Sequence, residues 1–278
     1  MSELYHARLR LPFLTVMLRP LFAVIAAATL LPVGYAVLWS GFGTGTPGLL
    51  SSEPSLRWYQ AFLASEEWRA ATWSSVSFAL VAALLAALTG VLVSYTSRLD
   101  DGRLRSIYAF IALLTSAFPM LLFALALRVS ASRAGFDPTL SVIIGQWAII
   151  FPFTYFIFEA ASDAAARPAL WSSFVLGVSV SNTLYRIYLP LIASALAATA
   201  AIAFLTSWDD AIMPVVIFDT APETLSKRLW NLLNSDLYPY PAVVGTLFYV
   251  LFPGTLMLTL LLVRRLMRAG SVRARQSS

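Results

Sequence analysis

Residues 171–190, WSSFVLGVSVSNTLYRIYLP, are a short polar interruption between two long apolar runs. Within them Gly177 is followed by nine residues, Ile187, one further residue and then Leu189-Pro190, which opens the next apolar run. Positions three or four apart are neighbours on a helix, so Trp171, Phe174, Val175 and Val178 are expected to share one face of a short amphipathic helix outside the membrane. Pro190 stands where a first helical turn tolerates it, because the N–H that proline lacks has no partner there. Taken alone, the segment equally fits an ordinary interhelical loop with a glycine turn.

Composition decides the broad class. The chain is 59% hydrophobic and only 12% charged, with a mean hydropathy of +0.77, whereas roughly a quarter of a soluble domain is charged. Runs of about 20 apolar residues can cross the hydrocarbon as helices. Six are expected, at about 20–41, 72–96, 106–130, 140–158, 190–216 and 242–266, in one membrane domain over 1–278, with a loop at about 159–189. The expected class is therefore all-α and polytopic.

Orientation follows from Lys and Arg, which are retained on the cytoplasmic side. Placing both termini in the cytosol leaves 13 of the 19 basic residues inside, among them Arg98, Arg103, Arg105, Arg167 and Arg186. Arg57, Arg69, Arg128, Arg133, Lys227 and Arg228 then lie outside with most of the acidic residues. The same assignment puts the loop around Gly177 in the cytosol. The net charge of +5 is thus a topology signal and gives no reason to expect nucleic acid as a partner.

The chain has no Cys, which excludes disulfides and Cys-ligated metals, and its single His6 sits in a basic tail with no second imidazole to help it. Neither metal binding nor His-based catalysis is expected. The run after Arg8, Arg10 and Arg19 is about 20 residues, longer than a signal-peptide core, and reads as the first span. Residues 42–71 read as a Gly/Pro turn and an interfacial helix carrying Trp58, Tyr59 and Trp68. Pro119, Pro152 and Pro253 fall inside expected spans, where each removes a backbone hydrogen bond and permits a kink.

Trp208-Asp209-Asp210 place two adjacent carboxylates at the outer edge of the fifth expected span, with apolar residues on both sides. Acidic groups at membrane depth are costly and normally face a bundle interior or a watery path. The competing reading is that the pair merely starts a loop or caps a helix. No Gly-x-x-x-x-Gly-Lys-Ser/Thr loop is present, so this chain is not expected to take energy from ATP itself.

The spacing from Gly177 to Pro190 resembles the loop signature of binding-protein-dependent ABC importer permeases, in which Glu-Ala-Ala stands just before the Gly and Ile-x-Leu-Pro ends the motif. Here Trp171-Ser172-Ser173 occupy the Glu-Ala-Ala positions. A literal Glu159-Ala160-Ala161 lies too far upstream and is taken as a chance match, so replacing Glu159 is expected to be mild and replacing Trp171 damaging. Ser207-Trp208-Asp209-Asp210 and Thr224-Leu225-Ser226 resemble the polyamine-type, or spermidine/putrescine, branch, with Ser226 where that branch has Pro. That branch also serves opines, amino acids and other small nitrogen compounds.

The resemblance implies a type I ABC importer permease fold in a bacterial inner membrane. Its partners would be two ATPase subunits holding ATP and Mg, a second and different permease, and a periplasmic binding protein. No cofactor would bind this chain. Trp171, Phe174, Gly177, Ile187, Leu189 and Pro190 would couple it to the ATPase. Trp171 and Phe174 would insert into a groove of the ATPase, and Gly177 would allow close backbone approach. The helix near Gly177 would move as a rigid lever, and Pro190 would start the span that carries this motion outward to Asp209 and Asp210. Trp208, Asp209 and Asp210 would line the translocation pathway. The rival is an ion-coupled secondary transporter titrating the Asp pair; a non-transporting membrane anchor would leave that pair unexplained.

Overall fold

The structure is a computed structural model that describes residues 2–44, 50–99, 102–165, 167–219, 222–233, 239–249, 257 and 261. Among these residues helices account for the regular structure, and one isolated antiparallel bridge pairs Gly43 with Leu50. The chain forms two compact units, Met1–Ala64 with Asp236–Leu251, and Ser65–Ser235 with Phe252–Ser278.

In the first unit α1 (Ser2–Phe42) contains the apolar stretch Leu18–Phe42, long enough to cross a bilayer. The expected interfacial helix is α2 (Arg57–Ala64). It is pinned to the end of α1 because Trp58 Nε1 and Arg57 both donate to the Gly43 carbonyl, at 2.8 and 3.0 Å. The Tyr59 and Ser40 hydroxyls meet at 2.7 Å. Gly43 has no room for a side chain, since a Cβ there would lie 2.6 Å from the Trp39 carbonyl oxygen. Trp58 meets Tyr240, in the helical residues 240–249, edge to face at 5.6 Å. The rest of the expected sixth span lies outside the described residues apart from Met257 and Leu261.

The second unit is built on α3 (Glu66–Thr96), which begins before the expected residue 72 because Ser65 caps it, accepting from the Trp68 N–H, and Glu66 and Glu67 suit the positive end of the helix dipole. Ala71, Ser75, Ala79, Ala82, Ala86, Gly90 and Ser94 recur every three or four residues on its buried face. Small side chains let backbones approach closely where lipid supplies no hydrophobic drive between helices. Against this face lie α6 (Pro138–Ala165) and, numbering in chain order, α10 (Ala193–Asp209). The Thr154 hydroxyl reaches across from α6 to the Ala86 carbonyl at 3.2 Å, and Trp147 Nε1 donates to Thr89 Oγ1 at 3.0 Å.

Two of the expected spans are broken, the third at Pro119, where the sequence permits a kink. The third becomes α4 (Arg103–Ala117) and α5 (Met120–Ala134), bent by 100°. Phe118 is extended at the break because the residue before a proline is driven out of the helical region. Each arm is about 22 Å long at 1.5 Å per residue, short of the roughly 30 Å hydrocarbon core. The fifth bends by 75° at Ile192, between the segment Val180–Leu191 and α10. It ends at Asp209, and α11 (Ile212–Ile217) is a separate helix packed through Met213 among Phe78, Ala124 and Val142. Three described helices are long and apolar enough to span a membrane, or five if each bent pair counts as one.

Gly90 marks the tightest approach of α3 to α6: a Cβ there would fall 2.8 Å from Thr154 Oγ1 and 3.0 Å from the Phe158 ring. Gly90→Val should therefore push the two helices apart and destabilise the fold by about 1–3 kcal/mol. A drop in the thermal unfolding midpoint of the purified protein in detergent is the expected result, and an unchanged midpoint would show that the helices yield freely.

Candidate functional site

The segment quoted at the outset folds as α7 (Arg167–Val175), a turn, α8 (Val180–Thr183), a five-residue π-helical turn Leu184–Tyr188 and a short helix α9 (Leu189–Leu191). The turn closes α7 in two bonds: Gly177 N–H to the Phe174 carbonyl and Val178 N–H to the Ser173 carbonyl, both 3.0 Å. This pairing demands a left-handed residue, and Gly177 has φ +73°. No atom lies near where its side chain would be. Glycine is thus required here by backbone conformation rather than by a close neighbour among the described residues.

Trp171 is 64% exposed and Val175 83% exposed, and with Leu176, Val178 and Val180 they form an apolar surface at this end of the unit. Phe174 does not share that face. It turns inward, together with Leu184 and Leu189, against a buried cluster of Val91, Tyr95, Phe158, Leu170, Tyr188 and Ile192. Leu170, Ser173 and Phe174 share the inward arc of the helix, where the Ser173 and Thr183 hydroxyls meet at 3.3 Å, and Trp171 and Val175 lie on the outward one. Ile187 is half-buried and Pro190 exposed. Pro190 offers no N–H to residue 186, and the chain just before it widens into the π-turn.

Beside α7 lies a closed set of four charges. Glu159 and Asp163, one turn apart near the end of α6, each contact both Arg98, just after α3, and Arg105, in the first turns of α4. The Arg98–Glu159 and Arg105–Glu159 distances are 2.9 and 3.0 Å, Arg105–Asp163 is 2.6 Å, and Arg98 also holds Asp163. Ser97 Oγ donates to Glu159 at 2.6 Å. The side chains of Arg98 and Glu159 are only 6% and 7% exposed, while those of Arg105 and Asp163 are 42% and 40% exposed. One turn deeper, Tyr188 OH joins Ser94 and Ser162 at 2.8 and 2.7 Å, and Tyr95 OH donates to the Val180 carbonyl at 2.7 Å.

At the other end of α10 the two carboxylates part company. Asp210 caps α11, its Oδ1 accepting from the Ile212 and Met213 N–H groups at 3.0 and 3.2 Å, and its Oδ2 accepts from Gln146 Nε2 at 3.1 Å. Gln146 is in turn held by Ser207, whose hydroxyl donates to Oε1 at 2.7 Å. Asp209 is exposed. Trp208 is buried against Phe204, and its carbonyl accepts from Ser226 Oγ at 2.7 Å. Nearby Lys227 is directed to the Phe218 carbonyl at 3.1 Å, and burial lowers its pKa below the ordinary lysine value. Arg228 binds Glu223 at 2.6 Å and Glu67, and lies over the Trp68 ring. Between α3 and α10 runs an apolar groove of about 770 Å³, lined by Leu84, Leu88, Val91, Leu189, Leu196 and Phe204 among others, which suits apolar packing rather than a polar solute.

Residues 86–273 match the family of binding-protein-dependent transport system inner membrane components. The chain belongs to this family. Relatives include the lactose transport system permease protein LacG of Rhizobium radiobacter, 26% identical over 68% of this chain and 66% of that protein, so the match spans just under two thirds of it. The spermidine/putrescine transport system permease protein PotC of Haemophilus influenzae is 25% identical over 83% of this chain and 86% of its own. Among solved structures, a bacterial ABC transporter involved in the import of the acidic polysaccharide alginate superposes with a TM-score of 0.72 at 15% identity, over 95% of this chain and 99% of that one. An amino acid ABC transporter gives a TM-score of 0.54 at 13% identity, over 76% and 96%. The architecture is the all-α type I fold of an ABC importer permease.

In this permease the structure brings Phe174 and Leu189 together on one core, leaves Trp171, Gly177 and Pro190 outward, and separates Asp209 from Asp210. Sequence reasoning set Glu159 aside as a chance match, used Arg98 and Arg105 only for orientation, and gave Asp163 no role. The available signal was two carboxylates four residues apart at one span end and two arginines bounding the preceding turn, an arrangement that invites pairing at the membrane edge. Glu159 is therefore no idle residue, although it stands outside the loop motif. Removing one member of a buried pair leaves the other charge uncompensated and costs about 3–5 kcal/mol. Glu159→Ala should lower the unfolding midpoint far more than Trp171→Ala; equal, small shifts for both would restore the view that Glu159 is incidental.

Proposed function

We propose that this permease, as one of two in a complex with a pair of ATPase subunits carrying ATP and Mg, passes a small solute inward from a periplasmic binding protein. Both termini and the α7 end face the cytosol in this reading, in keeping with the distribution of arginines. The observation that carries it is the exposed apolar surface of Trp171, Val175, Leu176 and Val178, set on a helix whose end is closed by the Gly177 turn. Exposed apolar groups rimmed by polar ones at a loop end mark a protein contact. Trp171 enters the ATPase, while Phe174 supports the helix from behind.

The ion-coupled alternative is not favoured, since Asp210 is engaged as a helix cap and the chain belongs to an importer family. A small nitrogen compound such as a polyamine remains our proposed cargo, now resting on the exposed Asp209 and on the likeness to PotC; LacG supplies the competing sugar. An exposed carboxylate attracts a cation weakly and in a salt-dependent way.

Gly177→Glu should leave the permease inserted and bound to its ATPase while abolishing uptake into reconstituted vesicles, because a bulky anion at a left-handed position disturbs both turn and contact. Uptake at the parental rate would remove the coupling role of this segment. For the other end, Asp209→Asn should slow uptake of labelled spermidine more at low than at high salt and spare lactose, whereas Asp210→Asn should reduce the yield of folded complex. Equal uptake of spermidine by Asp209→Asn and parent at low salt would argue against a cationic cargo.

A further inference from the structure

The chain entering α7 and the chain leaving it are both fastened to the same place, the last turn of α3 and the residues just after it. On the incoming side Glu159 and Asp163 of α6 bind Arg98, and Ser97 donates to Glu159. On the outgoing side the Val180 carbonyl accepts from Tyr95, and Tyr188 joins Ser94. Four consecutive-turn residues of α3 and its end, Ser94, Tyr95, Ser97 and Arg98, thus hold both flanks of the loop that carries the exposed apolar surface. The direct route from that loop into α10 is interrupted by the π-turn and the 75° bend at Ile192. A push on α7 meets a π-turn and a bend toward α10, and direct polar anchors toward α3.

Resting on the coupling role given above to α7, we propose that Arg98, Arg105, Glu159 and Asp163 are positioning residues that make α7 and α3 move as one body, so that ATP-driven displacement reaches the membrane through α3 rather than along α10. The chemistry of the cluster suits this. Two cations and two carboxylates cancel, every member has two charged partners, and the buried pair Arg98–Glu159 is shielded by the half-exposed pair Arg105–Asp163. Separating such a set strands charges at the membrane edge, which makes the joint stiff. α3 is also the helix against which both α6 and α10 pack through small side chains, so its displacement is felt by the whole second unit.

The chain contains no cysteine, which allows labels to be introduced singly. Spin labels at Asn182→Cys, exposed on α8, and Leu88→Cys, on the outward face of α3, report the separation of the two elements in the full complex with its ATPases and binding protein. In the parent, trapping the ATPases with ATP and vanadate should leave that distance unchanged, and the binding protein should stimulate ATP hydrolysis. In Arg98→Gln with Glu159→Gln, which removes both buried charges together, trapping should shift the distance, and ATP hydrolysis should fall to its unstimulated level. Should that variant fail to assemble, Arg105→Gln with Asp163→Asn decides, since its residues are half-exposed and their loss is tolerable for folding. A distance that shifts in the parent, or stimulation and distance both unchanged in Arg105→Gln with Asp163→Asn, overturns the proposal. A cysteine at Trp171 that fails to cross-link to the ATPase would instead overturn the coupling role of α7, and the distances would still report whether α7 and α3 are one body.

Discussion

Close contact along the small-residue face of α3 is the constraint on which the second unit depends. In water, burying large aliphatic side chains would hold three helices together, but in lipid the surroundings are as apolar as leucine and that drive is absent. Alanine, serine and glycine at three- and four-residue spacing bring the backbones of α3, α6 and α10 near enough for dispersion contacts and for side-chain bonds such as Thr154 to the Ala86 carbonyl. Large apolar side chains such as Leu80, Leu84, Leu88 and Leu92 are left on the outside of α3, where lipid can receive them.

Polar groups then collect where the packed faces end. At one end the Ser75 hydroxyl accepts from the Leu225 N–H, Ser226 holds the Trp208 carbonyl, and Gln146, Ser207 and Asp210 form a chain of bonds that starts α11. At the other end hydroxyls and the four-charge cluster tie α3, α4 and α6 to the loop around α7. Most of the buried polar groups described here are paired, as an environment short of water requires. The exposed apolar surface of α7 stands out against this background because it lies beyond the last anchors, on a helix of nine residues, uncovered by the described residues.

The breaks at Phe118-Pro119 and at Ile192 give the two ends different mechanical characters. A continuous helix transmits a displacement along its axis, whereas a bend of 75° or 100° turns the same displacement into rotation at the joint. α3 and α6 are the long helices without such a break, and both run between the polar ends of the unit.

Much of this was legible in the chain itself. The apolar runs determined that the protein is helical and membrane-spanning, since only helices and closed barrels satisfy their backbone bonds in lipid. The spacing from Gly177 to Pro190 carried only a resemblance to the family, which the match over residues 86–273 then showed; a left-handed glycine closing one helix and a proline near the start of the next are local requirements that many loops share. What tertiary structure decided were the partnerships. Nothing in Asp209-Asp210 says which carboxylate caps a helix; that follows from where Gln146 and α11 lie. Glu159 reads as a stray acid until Arg98 and Arg105, far away in sequence, are brought beside it. Phe174 and Trp171 stand only three residues apart on one short helix, and only its packing against the cluster of Tyr188 and Leu170 decides which of them faces inward. Helical periodicity is a property of neighbours along the chain, while burial and charge pairing belong to neighbours in space, and the latter exist only once the helices have met.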